Sequence, residues 1–156
     1  MEFEPKIVKT EIGDVEYTDI GSGPVIILSH GTPGGSDVGP LIFSEIISHD
    51  FRLITPSRPG YLNTSLDLGK TPEEQAKVFY HLFEALNIEK ASFLAWSGGG
   101  PLALNFAINY PERIASLIML STVTKKLVEK SLLFKLFIKN EILPRTLLKA
   151  KKLIPY

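Results

Sequence analysis

Apolar and polar positions along this chain switch between two periods. Residues 6–19 mix the two in partial alternation around Gly13-Asp14. That pattern predicts an antiparallel hairpin at a sheet edge, with one face solvated. Gly21-Ser22-Gly23-Pro24 marks a turn, and Val25–Leu28 is then continuously apolar, as expected of a strand covered on both faces. The run empties into Ser29-His30-Gly31-Thr32-Pro33-Gly34-Gly35, a glycine-rich loop suited to close backbone approach. Val38–Ser48 reads as a helix capped by Ser36 or Asp37, and Phe51–Thr55 as a second buried strand leading into the turn-rich Pro56–Tyr61. Thr71-Pro72-Glu73-Glu74 carries a helix start, with Thr71 as N-cap, Pro72 in the first turn and Glu74 completing a capping box. Ala76, Phe79, Leu82, Phe83 and Leu86 follow at helical spacing and predict one core face. A third apolar run, Ala91–Trp96, precedes a helix ending at Tyr110, and Ile114–Leu120 is a further apolar strand. Strands alternating with helices predict an α/β fold: a mostly parallel sheet, right-handed crossovers and helices on both faces.

The most informative junction is the one after Trp96. Ala95-Trp96-Ser97-Gly98-Gly99 matches the G-x-S-x-G elbow with Ala in place of the first Gly. Three side-chain-free neighbours, Gly98, Gly99 and Gly100, let the Ser97 hydroxyl stand clear of the sheet edge. Ser97 is therefore the candidate nucleophile. A plain cap and tight turn, or a phosphate cradle at a helix N-terminus, would use the same residue types. No Lys-Ser/Thr follows the glycines and no G-x-G-x-x-G is present, so a nucleotide cofactor is not expected. Both the His30–Gly35 loop and Ser97 fall at carboxyl ends of strands, where parallel sheets gather ligands.

Composition narrows the class. The 156 residues carry no net charge and are 44% hydrophobic, which permits a sizeable core and gives no pull toward nucleic acid. There is no cysteine, hence no disulfide or thiol chemistry. The charged start lacks an apolar signal core and no apolar run reaches the ~18 residues of a membrane span, so a cytoplasmic protein is the expectation. Charge is unevenly spread: residues 1–121 hold 8 Lys and Arg against 15 Asp and Glu, and residues 122–156 hold 9 against 2. This asymmetry divides the chain into a core, 1–121, and a basic amphipathic segment, 122–156. Leu132, Leu133, Leu136 and Phe137 would form its apolar stripe. We read it as the start of a helical lid over the site; lying on an anionic membrane surface is the alternative.

Taken together, His30-Gly31-Thr32-Pro33-Gly34, Ser57-Arg58-Pro59-Gly60-Tyr61, the Thr71–Gln75 helix start and Ala95–Pro101 resemble, in order and spacing, the N-terminal half of a lid-bearing serine hydrolase of the α/β-hydrolase fold. The likeness runs over residues 15–121. It implies Ser97 as nucleophile and the backbone N–H groups of Thr32 and Gly98 as oxyanion donors. His30 and Gly31 would belong to the oxyanion loop, with His30 in a structural role, and Trp96 would line the acyl pocket. The reaction implied is two-step acyl transfer on a small-molecule ester or related acyl substrate, with no metal and no cofactor.

The triad order on this fold is Ser, acid, His. After Ser97 the chain has no His and no Asp, and its only acids are Glu112, Glu129 and Glu141, while His30, His49 and His81 all precede the nucleophile. The expectation is that these residues are the first half of a longer chain whose remainder supplies the acid and the His. The competing expectation is a non-catalytic, hydrolase-like protein that binds a partner through its last strand or its basic segment. Within the enzyme class, the His-Gly-x-Pro-Gly loop also resembles that of proline-releasing aminopeptidases, which would need Glu129 or Glu141 to hold the free amine. Dehalogenase and epoxide chemistry would call for Asp where Ser97 stands.

Overall fold

In a computed structural model, residues 4–47 and 50–124 are described. Six strands form one sheet in the order β1-β2-β4-β3-β5-β6. They are β1 (Lys6–Thr10), β2 (Gly13–Gly21), β3 (Val25–Ser29), β4 (Arg52–Pro56), β5 (Ala91–Trp96) and β6 (Ile114–Leu120). β1 pairs antiparallel with β2 and β2 with β4, whereas β3, β4, β5 and β6 run parallel. The helices are α1 (Val38–Ile47), α2 (Pro72–Ala85) and α3 (Gly100–Asn109).

The continuous apolar runs follow from the layering. Along β3, β4 and β5, Ile27, Ile54 and Phe93 pack into one cluster with Phe79, Phe83 and Phe106 of α2 and α3. Their neighbours Leu28, Leu53 and Leu94 pack into a second cluster with Val38 and Phe43 of α1. Period-2 side chains thus serve two cores, so neither face of these strands can be polar. The first core is aromatic: Phe93 and Phe106 ring centroids lie 4.7 Å apart, and Phe83 sits 5.1 Å from Phe106.

Helix α2 starts where its sequence dictates. The Thr71 hydroxyl accepts the Glu74 N–H at 3.2 Å, and the Glu74 carboxylate accepts the Thr71 N–H at 2.8 Å. These backbone donors hold the Glu74 carboxyl below its ordinary range. Ala76, Phe79, Leu82 and Phe83 are all buried, while Leu86 is the C-cap and packs at the rim.

Three local expectations change. The hairpin turns at Glu11-Ile12, earlier than Gly13-Asp14, and Gly13 (φ 138°) already pairs with Thr10. Strand β2 has no solvated face over Val15–Thr18: the loop after β4 covers Glu16, and Ser36, in the segment before α1, accepts from the Thr18 hydroxyl through its carbonyl at 2.6 Å. Ser36 does not cap α1, since its hydroxyl donates to Glu16 Oε1 at 2.6 Å. Strand β6, by contrast, is covered on one side only. It bonds to β5, and its Ile118 and Leu120 side chains are open to solvent.

Residues Met1–Thr124 form one compact unit. Thr122–Thr124 belong to it: a Cβ on Gly100 would lie 2.7 Å from Thr122 Cβ, and Val123 N–H donates to Ser97 O at 3.0 Å. The amphipathic helices and lid expected within 122–156 otherwise fall outside the described residues. Among the described residues no helix is long and apolar enough to cross a membrane.

Candidate active site

Ser97 follows the last residue of β5 and adopts φ 49°, a left-handed backbone that L side chains avoid. Such strain persists only where the surroundings enforce it. Here the enforcement is steric. A Cβ on Gly99 would sit 2.0 Å from the Ser29 carbonyl oxygen, and one on Gly100 would meet Thr122. Ser29 Oγ in turn donates to Gly99 O at 2.9 Å. The elbow is wedged between the end of β3 and the chain leaving β6, with room for backbone only. Ala95, standing where the motif has its first Gly, is fully buried between Ser29 and Met119.

The loop after β3 meets the elbow from the other side. A Cβ on Gly31 would lie 3.0 Å from Ser97 Cβ and 3.6 Å from Ser97 Oγ; one on Gly98 would lie 3.2 Å from Thr32 Oγ1 and 3.7 Å from Thr32 N. Ser97, Gly98, Gly31 and Thr32 are therefore neighbours, and Ser97 and Gly98 are half-buried. Trp96 is also half-buried, but its ring packs edge-on against Phe43 of α1, with centroids 6.3 Å apart.

His30 is fully buried and has no free nitrogen. Its Nδ1–H donates to Gly31 O at 2.8 Å, and its Nε2 accepts the Arg58 N–H at 3.0 Å. Burial, followed by the nearby Arg58 cation, pushes the imidazole pKa from 6.5 down to about 3, so the ring is neutral. The tautomer that these bonds require matches that neutrality. Tyr61 stacks edge-on against His30 at 4.8 Å, and its hydroxyl lies 2.6 Å from Thr32 Oγ1.

Two residues here were not found from the sequence. In the sequence Arg58 stands in a turn-rich loop that shares in the family resemblance but marks no role for this side chain; in the structure it is buried beneath the His30–Gly34 loop. Glu16 falls in the hairpin for which the sequence predicts one solvated face. It is a buried carboxylate accepting from Ser36 Oγ at 2.6 Å, from Ser57 Oγ at 2.8 Å and from Asn63 Nδ2. No local pattern signals either residue, because the contacts that tie Glu16 to Ser36 and Asn63, and Arg58 to the Gly31 carbonyl, span 20 to 47 positions.

The remaining titratable candidates lie elsewhere. His81, on α2, has its Nδ1 3.4 Å from Glu11 of the hairpin turn. Glu112 is in the short turn Pro111–Arg113. His49, Glu129 and Glu141 lie outside the described residues. Among the described residues no group of three His, Asp or Glu is placed to hold a metal ion.

The family model for the alpha/beta hydrolase fold matches residues 24–142, a span that contains both loops and the elbow. The chain belongs to this family. Among its relatives, an uncharacterized hydrolase, YcgS, from Bacillus subtilis is 36% identical over 116 residues, covering 73% of this chain and 40% of the relative. A 2-hydroxy-6-oxo-6-phenylhexa-2,4-dienoate hydrolase from Comamonas testosteroni is 32% identical over 129 residues, covering 74% of this chain and 43% of the relative. Among solved structures, an alpha/beta hydrolase fold protein from Nakamurella multipartita superposes with a TM-score of 0.80 at 33% identity, covering 94% of this chain and 51% of that one. The chain thus spans about two fifths of the length of these curated relatives.

Proposed function

We propose that this chain carries the nucleophile and oxyanion site of a serine hydrolase acting on a small ester or related acyl compound. Ser97 Oγ attacks the carbonyl carbon: the new C–O bond forms as the carbonyl π pair moves onto oxygen, and the Ser97 proton passes to a general base. Collapse of this intermediate expels the leaving group and gives an acyl-enzyme, which water then hydrolyses. The backbone amides of Thr32 and Gly98 receive the negative oxygen. Preorganised donors of this kind are each worth about 10²–10³ in rate.

One observation carries this reading. The only strained residue at the end of β5 is the serine, and a second loop stands within van der Waals reach of its side chain. His30 is not the base, because both of its nitrogens are engaged. We assign the base, and the acid that would orient it, to polypeptide beyond the described residues. A chain spanning about two fifths of its relatives is consistent with that assignment. The relative from Comamonas testosteroni widens the substrate class, since the compound in its name carries a ketone rather than an ester. Attack on a ketone carbonyl requires the same nucleophile and the same two amides.

A fluorophosphonate probe tests the proposal on a polypeptide that carries these residues together with the base. Ser97 should be labelled, and Ser97→Ala should not. Equal labelling of the two proteins, or none of the wild type, refutes it.

A further inference from the structure

Arg58 is 93% buried, yet among the described residues no carboxylate lies within ion-pair distance of its guanidinium. Buried cations are normally paired, because an uncompensated charge in a low-dielectric interior is costly. Arg58 is also poorly used as a donor. Among the described residues its Nε has no partner, its Nη1 reaches only Gln75 Oε1 at 3.5 Å, and Nη2 alone is shared among three acceptors. Those acceptors are Gly31 O at 3.1 Å, Thr32 Oγ1 at 3.2 Å and Tyr61 OH at 3.3 Å.

None of the three depends on Arg58 for a partner. Gly31 O already accepts from His30 Nδ1, and Thr32 Oγ1 and Tyr61 OH already bond to each other. Removing the side chain would orphan no buried acceptor in the loop. What Arg58 alone supplies is a positive charge, held 3.7 Å from the point where a Cβ on Gly98 would sit. That places it beside both residues whose amides would receive the oxyanion. Stacking over the Tyr61 ring at 4.8 Å fixes the guanidinium without neutralising it.

Resting on the Ser97 reading, we infer that Arg58 is a positioning residue for the transition state, a buried counter-charge matched only when the substrate carbonyl becomes an oxyanion. Its desolvation is a cost borne in folding, and its attraction is realised when charge develops at the site. An interaction stronger in the transition state than in the ground state raises turnover rather than substrate binding. Burial lowers the guanidinium pKa, but Arg starts so high that it stays charged. The ligands favoured by this arrangement are those that turn anionic at the reacting carbon, in preference to those already charged in their free form.

Phenylboronic acid is a direct probe. Ser97 Oγ forms a bond to boron, the Ser97 proton is released, and the boron becomes a tetrahedral anion that stands where the carbonyl carbon would, with one of its hydroxyl oxygens in the oxyanion position. Two variants separate charge from fit: Arg58→Met keeps the stem and removes the charge, and Arg58→Lys keeps the charge and removes the fork. We expect Arg58→Met to bind the boronate at least tenfold more weakly with an unchanged or higher Tm. Arg58→Lys should stay within about threefold of the wild type. The inference fails if Arg58→Met binds like the wild type, if both variants lose affinity equally, or if the loss tracks a fall in Tm. It also fails if the wild type takes the fluorophosphonate label but not the boronate. Absence of the label on wild-type Ser97 would instead defeat the parent reading, and this inference with it.

Discussion

The two loops that meet at Ser97 are held in opposite ways. The elbow is fixed by exclusion, with backbone packed so closely that Gly99 and Gly100 have no room for a Cβ. The His30–Gly34 loop is fixed by side chains, through hydrogen bonds among His30, Arg58, Tyr61 and Thr32 that overlap and partly duplicate one another. Steric fixing is unforgiving, since one added methyl group has nowhere to go. A redundant polar cluster should instead lose its members one at a time, each at a modest cost. The strained atom sits on the first kind of support, and the loop that would answer charge sits on the second.

The sharpest way to break this contrast is Gly99→Ala. Its methyl would overlap the Ser29 carbonyl, which is backbone and cannot rotate aside. A loss of about 3 kcal/mol or more is expected from urea unfolding. A midpoint within error of the wild type would mean that the elbow is not sterically fixed.

His30→Leu should cost about 2 kcal/mol at pH 7, because the Arg58 N–H loses its acceptor in a buried site. Its pH dependence is more diagnostic. The folded imidazole refuses a proton down to about pH 3, whereas the unfolded one takes it up below 6.5. Wild-type stability therefore falls by about 1.4 kcal/mol for each pH unit between those limits as the solution is acidified. The leucine variant lacks that share. The gap between the two proteins should close near pH 5 and reverse below it, and a gap that stays constant with pH would show that His30 titrates normally.

The smallest effect is expected for Tyr61→Phe. Thr32 Oγ1 keeps its bond from Arg58 and is close to solvent, so less than about 1 kcal/mol should be lost. A loss as large as that of His30→Leu would contradict the redundancy.

The elbow was the more legible of the two supports. An apolar run stopping at Ser97 before three glycines is a local pattern, and steric exclusion writes itself into sequence as missing side chains. The capping box at Thr71–Glu74 was readable for the same reason, since its partners are three residues apart. The side-chain support was not. Arg58 and Glu16 look like surface charges in their own stretches, and contacts across 20 to 47 positions help to bury them. The partial alternation of β2 suggested a wet face because nothing in the strand announces that the loop after β4 will cover it. Ser36, one of the two cap candidates for α1, is unavailable because its hydroxyl is claimed by a strand 20 residues earlier.

Glu16 gives the edge hairpin a reach beyond its own strands. This one carboxylate fastens the segment before α1, through Ser36, and the loop after β4, through Ser57 and Asn63. Fraying of the β1–β2 hairpin from β4 would release all three fasteners together and loosen the loop that carries Arg58, one residue past Ser57. The outermost strands lend no atom to the reaction, yet the lifetime of a competent site would be set by how long they stay zipped.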